Sequence, residues 1–236
     1  GPQRRLQRRA DLAQQLVAGL VALVVVDRLE VVEVDHHDGH VAAVAVAPVL
    51  VAPLASANPA SVQPDVGVQG EHVLSVDYQV QQTGYWCGPA ATRIALSARG
   101  IYRSQSQLAA ELGTTTNGTD WIGQVTNVLR GYVGWYETKE MPNDPPTQAQ
   151  RDLLWRDIVL NINNNYPIVA NIVAPPNNHP PGYPNYTIYH YFTVIGYNDS
   201  NMTVLIADPA NFGGNQIYWL TFNQLATLIP PKGYSA

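Results

Sequence analysis

Pro167 divides this chain into two halves of different periodicity, and that change constrains the fold more than any other feature of the sequence. Before it, apolar residues recur at the three- and four-residue spacing of helices. After it, runs of β-branched and aromatic residues separated by turn residues take over. Helices first and antiparallel strands second predict an α+β fold, with N-terminal helices packed on a C-terminal antiparallel sheet.

The elements can be placed individually. A helix is expected from Pro89 to Arg99, with Ala91, Ile94 and Ala95 on one face and Gly100 as its stop. Ser104 with Gln107 forms a capping-box signature for a short helix ending at Gly113. Thr114 to Thr119 is a polar turn, and Asp120 caps a helix carrying Ile122, Val125, Val128 and Leu129. Thr147 and Gln150 repeat the capping box ahead of Leu153, Leu154, Ile158 and Ile162. Strands are expected at 168–173, 188–197, 203–207 and 216–221, with Asn198 to Asn201 as a hairpin turn. The segment from Pro175 to Pro184 holds five prolines and is expected to be an irregular, exposed loop bordering a cleft.

The first 70 residues have another texture, rich in Val and Ala and poor in aromatics, so the expected organisation is an N-terminal extension (1–70) followed by one domain (71–236). At 236 residues and 46% hydrophobic content the chain suffices for one well-buried domain plus a tail. Leu16 to Val26 and Val41 to Ala57 are too short or too interrupted by proline for a stable membrane span. The second run ends in Ala55-Ser56-Ala57, a small-residue pattern that fits signal-peptide cleavage and predicts a secreted or cell-envelope protein. Acidic residues and histidines between Asp27 and His40 stand where a signal peptide would be basic, which leaves a propeptide or a non-native extension as alternatives. His36, His37, His40, Asp35 and Asp38 read as a solvated loop, so no metal is expected.

A net charge of −5 with only 13 Lys plus Arg argues against a nucleic-acid partner. The single cysteine excludes an intramolecular disulfide and a multi-thiolate zinc site. A lone cysteine is ordinarily a small core hydrophobe, but the surroundings of Cys87 point elsewhere. It lies in Gly84-Tyr85-Trp86-Cys87-Gly88-Pro89-Ala90-Ala91, where an extended segment enters the first helix. Unpaired N–H groups and the positive end of the helix dipole favour thiolate there, and the same groups can bind an oxyanion. Gly88 would let a substrate backbone approach, and Pro89 forfeits a hydrogen bond that no helix makes in its first turn. Gln81, six residues before the cysteine, is a candidate second oxyanion donor.

His190 shares a strand face with Ile188, Phe192 and Val194. Matching apolar faces across the hairpin pairs Phe192 with Ile206 and Val194 with Val204, and that register sets Asp208 directly opposite His190. One imidazole nitrogen would then be held by Asp208 while the other faces Cys87, an arrangement of nucleophile, base and orienting acid. His72 precedes the core, His179 lies in the proline-rich loop, and Asp199 falls in the turn, which makes each a poorer candidate.

Together, the run Gln81 to Ala91, the strand His190 to Tyr197 and Ala207-Asp208-Pro209 resemble the bacteriocin-leader-processing, or double-glycine, type of papain-like cysteine peptidase, most closely its stand-alone secreted relatives. The resemblance covers residues 75 to 228 and implies a papain-like fold, no cofactor, a peptide or protein substrate, and catalytic roles for Cys87, His190 and Asp208 with Gln81 at the oxyanion site. Nothing in the chain resembles the transporter to which leader-processing members are joined, so their preference for two glycines does not carry over. The expected chemistry is amide hydrolysis through a thioester. A cell-wall amidase or endopeptidase with the same triad, and a catalytically silent peptide-binding module, are the alternatives; oligomeric state is left open.

Overall fold

The apolar periodicity ahead of Pro167 yields four helices. These are α1 (Cys87–Ser97), α2 (Gln105–Leu112), α3 (Ile122–Val133) and α4 (Gln148–Asn163), and a fifth, α5 (Phe222–Leu228), follows the strands. The computed structural model describes residues 70–236; the export signal, the linker and the histidine cluster expected in the first 69 residues lie outside the described residues. Both predicted capping boxes form. Ser104 and Thr147 accept from the backbone N–H of Gln107 and Gln150, whose side chains return to the cap N–H groups. Asp120 is not a cap. Trp121 holds that position, because Gln124 reaches back to the Trp121 N–H at 3.0 Å and starts the helix one residue later.

The strands are β1 (Glu71–Val73), β2 (Thr138–Glu140), β3 (Ile168–Ala174), β4 (Ile188–Asn198), β5 (Thr203–Ala207), β6 (Ile217–Thr221) and β7 (Gly233–Ser235). They pair antiparallel in the order β2-β7-β3-β4-β5-β6, with β1 joined to the far end of β4. The four longer strands match the sequence expectation, and the α+β class with it. The three-residue strands β1, β2 and β7 are too short to display a period of two. His72 therefore does not precede the core as expected: it sits in β1 opposite Tyr197 and stacks on that ring at 4.8 Å.

Helices cover both faces of the sheet rather than one. Even-numbered residues of β3 and β4, from Ile168 to Ala174 and including Phe192 and Val194, pack with Leu154, Ile158 and Ile162 of α4 and Leu225 and Leu228 of α5. On the other face, Val169 and Tyr191 meet Ala91, Ala95 and Leu96 of α1, Leu108 of α2 and Leu129 of α3. Alternate side chains of a strand point to opposite faces, so both faces of these central strands are buried. Helix α1 is buried from Gly88 to Ser97, more completely than a one-faced amphipathic helix would be. Ile94 packs into a separate cluster, against Ile195, Leu205 and Ala207. A fully buried Phe192 at the centre of this arrangement contributes about 3–5 kcal/mol by the usual cost of truncation to alanine.

The β4–β5 register differs from the expected one. Val194 pairs with Ile206, and a bulge at Ile195 shifts the following pairs to Gly196–Leu205 and Tyr197–Val204. Matching apolar faces fixes a register only to within two residues, because a slip of two keeps the same faces together, and the observed ladder is slipped by two at Val194–Ile206 before the bulge inserts one further unpaired residue. Beyond it, Tyr197 joins Phe192 and Val194 in the same cluster.

Candidate active site

Helix α1 begins at Cys87, two residues earlier than its periodicity suggests, so the thiol sits on the first helical residue with Trp86 as the N-cap. The extended segment leading to it is fastened from three directions. Arg93, itself buried, donates to the Asp77 carbonyl at 2.8 Å and to the Asp77 carboxylate at 2.5 Å. Ser97 Oγ accepts from the Asp77 N–H at 2.8 Å. Gln105, buried, accepts from the Gln82 N–H and donates to the Val80 carbonyl, both at 2.9 Å. The Gln81 N–H then donates to the Pro209 carbonyl at 2.8 Å, which ties this segment to the end of β5. These anchors give Gln81 a defined place beside the helix start.

Cys87, His190 and Gln81 line one cavity of about 690 Å³ together with Tyr186, Tyr189 and Phe212. A second cavity of about 230 Å³, lined by Asn117, Asp120, Asn171, Tyr191 and Lys232, also reaches Cys87 and His190. The thiol thus lies where two cavities meet, with Tyr186 and Tyr189 exposed on the rim. The loop from Pro175 to Pro184 leads into this rim but is not wholly exposed as expected, since Pro180 and Tyr183 are buried.

His190 is 4% exposed and its Nε2 stands 2.8 Å from Asp208 Oδ1, so the expected pair forms. It does not form by direct opposition. On β3 His190 faces Ile172, and Asp208 lies just past the last residue of β5, reaching the imidazole across the end of the ladder. With Nε2 engaged, the ring's other nitrogen is left for Cys87, which lines the same two cavities as His190. His179 is not part of this constellation; its Nε2 contacts the Tyr186 carbonyl oxygen at 3.1 Å. Asp199 accepts from the Gly70 N–H at 2.7 Å rather than standing solvated in its turn.

The electrostatics follow from burial and partners. Burial pushes the Cys87 thiol up, but the hydrogen bond and charge of His190 and the backbone hydrogen bonds with Tyr191 and Gly88 outweigh it, and the thiol is lowered overall. Burial pulls His190 down, yet the negative charge and hydrogen bond of Asp208, with help from Cys87, raise it to about 10. Asp208 is driven up by burial and more strongly down by His190, Tyr218 and Tyr183, so it is held below its ordinary value. This combination favours a thiolate beside an imidazolium at neutral pH.

Gln81 offers its carboxamide to the same cavity, but one Nε2 hydrogen is used by the Thr83 carbonyl at 2.9 Å, and its buried Oε1 makes no protein hydrogen bond. One N–H of Nε2 remains to donate. Gly88 has a different role from the expected one. A Cβ at this position would overlap the Thr119 side chain, so the glycine admits the 114–119 turn against the helix start rather than a substrate backbone.

Sequence reasoning missed the remaining partners of Asp208, namely Tyr183, Tyr218, Tyr78 and the Ala210 N–H. A signal for them existed: a carboxylate at the end of an apolar strand has two oxygens to satisfy, and one imidazole satisfies only one.

A family model described as "Peptidase_C39 like family" matches residues 73–228. Among solved structures, a protein described as a C39-like peptidase from Bacillus anthracis is 13% identical, covering 70% of this chain and 96% of that one with a TM-score of 0.49. The peptidase domain of Streptococcus ComA, a bifunctional ABC transporter, is 16% identical over 68% of this chain and 96% of its own, with a TM-score of 0.45. A double glycine motif protease from an AMS/PCAT transporter, solved in complex with the leader peptide, is 14% identical over 71% and 96%, with a TM-score of 0.44. No curated protein matches the sequence. Among the described residues no helix is long and apolar enough to cross a membrane.

Proposed function

Since the chain belongs to the C39-like peptidase family and is a cysteine peptidase, we propose that it hydrolyses peptide bonds through Cys87, His190 and Asp208. The observation that carries this reading is that the thiol at the start of α1 and the His190 imidazole line the same two cavities, with the buried Asp208 carboxylate 2.8 Å behind the imidazole. The Cys87 thiolate attacks the carbonyl carbon, and the carbonyl π electrons move to oxygen. That oxyanion meets the Cys87 backbone N–H and the remaining Nε2 hydrogen of Gln81. The C–N bond then breaks as His190 gives its proton to the leaving amine, leaving a thioester. Water attacks the thioester, His190 takes up its proton, and the acid departs with the thiolate regenerated.

The two cavities meeting at Cys87 support a polypeptide lying across the thiol rather than a small molecule enclosed beside it. The larger cavity is lined by Gln81, Thr83, Tyr186, Tyr189 and Phe212, which suit uncharged peptide segments through hydrogen bonds and ring contacts. The Ala55-Ser56-Ala57 pattern supports export, and hence a substrate met outside the cytoplasm. The test is hydrolysis by the full chain at neutral pH of a peptide library and, in parallel, of peptidoglycan fragments. Cleavage of peptides that is abolished in Cys87→Ala supports the proposal; cleavage of peptidoglycan fragments alone, or turnover unchanged in Cys87→Ala, rejects it.

A further inference from the structure

Building on the triad reading above, we propose that Tyr183 and Tyr218 are positioning residues, two phenols that hold one oxygen of Asp208 so that its other oxygen is a fixed, ionised acceptor for His190. Asp208 has no solvent exposure. Its Oδ1 accepts from His190 Nε2 at 2.8 Å and from the Ala210 N–H at 2.9 Å. Its Oδ2 accepts from the Tyr183 hydroxyl at 2.7 Å and from the Tyr218 hydroxyl at 2.6 Å. One oxygen is thereby turned to the imidazole while the other is held from two separate elements, the loop before β4 and strand β6.

The hold is rigid on the Tyr183 side. That ring is buried and makes edge contacts with Phe212 at 4.7 Å and with His190 at 6.1 Å. Tyr218 lies opposite Ile206 on the neighbouring strand, two residues before Asp208. The titratable groups facing the carboxylate are His190 from β4, Tyr183, Tyr218, and Tyr78 from the segment before α1, whose hydroxyl donates at 2.7 Å to the Asp208 backbone carbonyl instead. Among the described residues no Lys or Arg is paired with Asp208. Two neutral donors therefore do what a second cation would otherwise do, without competing with His190 for the charge. Burial and the adjacent carboxylate keep both phenols well above their ordinary range, so they stay donors at any working pH.

Removing either hydroxyl leaves a buried oxygen short of a donor and makes the carboxylate easier to protonate. A neutral Asp208 no longer supports the imidazolium, and the thiolate gives way to thiol at a higher pH. A hydrogen bond to a charged group corresponds to a shift of about one pH unit or more.

The experiment measures the rate of Cys87 alkylation by iodoacetamide against pH in the full chain, in Tyr183→Phe, in Tyr218→Phe and in the double variant, with exposed Tyr102→Phe as control. Each single variant should raise the acid midpoint by about one pH unit, the double variant should raise it further, and the rate on the alkaline plateau should not change. Unchanged midpoints in variants with native near-ultraviolet circular dichroism would overturn the positioning role and leave the triad intact. An unsubstituted protein whose midpoint is that of an ordinary free thiol would instead overturn the triad reading itself. A further measurement needs no substitution: the proton resonance of the His190 ring N–H should persist as pH falls into the ordinary carboxylate range, and its loss at around pH 6 would contradict the proposal.

Discussion

Asp208→Asn preserves the size and shape of a side chain that is completely buried, so its effect isolates charge and hydrogen bonding. The carboxylate accepts four hydrogen bonds, from His190, Tyr183, Tyr218 and the Ala210 N–H. An amide offers one accepting oxygen and an NH₂ group, which has no acceptor facing it unless a phenol reverses. A hydrogen bond to a charged group contributes about 1.5–3 kcal/mol, and each 1.4 kcal/mol is tenfold in rate. Loss of the bond that supports the imidazolium should therefore reduce Cys87 alkylation at pH near 6, and peptide hydrolysis with it, by about 10- to 100-fold. The strained amide should also lower unfolding stability by about 1–3 kcal/mol in urea. Reactivity within twofold of the unsubstituted protein, in a variant that remains folded, would refute the assignment of Asp208 to the reacting histidine.

Replacing Gln81 by alanine should lower peptide hydrolysis by about 10²- to 10³-fold while leaving alkylation of Cys87 unchanged, because no oxyanion forms in alkylation; parallel loss of both rates would place Gln81 outside the oxyanion site. Gly88→Ala should destabilise the fold by about 1–3 kcal/mol through overlap with Thr119, and Thr119→Ala in the same chain should relieve part of that cost, as read by a double-mutant cycle in urea. The pH dependence of stability is simplest to read in Cys87→Ala, where the thiol no longer titrates. His190 is still raised by Asp208 in this variant, though without the help of Cys87, so its stabilising contribution is full below the unfolded value of 6.5 and is lost as pH rises through the raised folded value. Asp208 is lowered, so its contribution is present above 3.8 and is lost as pH falls through the lower folded value. Stability of Cys87→Ala should thus be greatest between these limits and decline on the alkaline side. Adding Asp208→Asn should flatten that decline.

Much of this site was legible before the structure because each element of it obeys a local rule. A cysteine ahead of Gly-Pro at a helix start, capping boxes at Ser104 and Thr147, and a run of β-branched residues ending at Asp208-Pro209 all act over a few residues. The sequence pairs His190 with Asp208 through a register from which the observed ladder is slipped by two residues, a slip that apolar matching cannot detect. The two residues meet because both lie near strand ends, where side chains reach across the edge of the ladder. Tertiary partners carried no such signal. Tyr183 is separated from Asp208 by 25 residues and sits among prolines that suggested an exposed loop, while Gln105 and Arg93 fasten the approach to Cys87 from helices whose periodicity shows only their apolar faces. The sequence sets Gly88 apart by its place after the helix-start cysteine, but what approaches it is Thr119, a contact between segments that local sequence cannot disclose.

The pairing of a Cys87 thiolate with a His190 imidazolium at neutral pH can be read from the ultraviolet absorbance of the thiolate as a function of pH, with Cys87→Ala as the reference. A Cys87-dependent thiolate signal should already be present at neutral pH, appear with a midpoint well below the ordinary thiol value of 9.0 and weaken when His190 is replaced by Ala. A signal that emerges only near the ordinary thiol value, or that is indifferent to His190, would contradict that pairing.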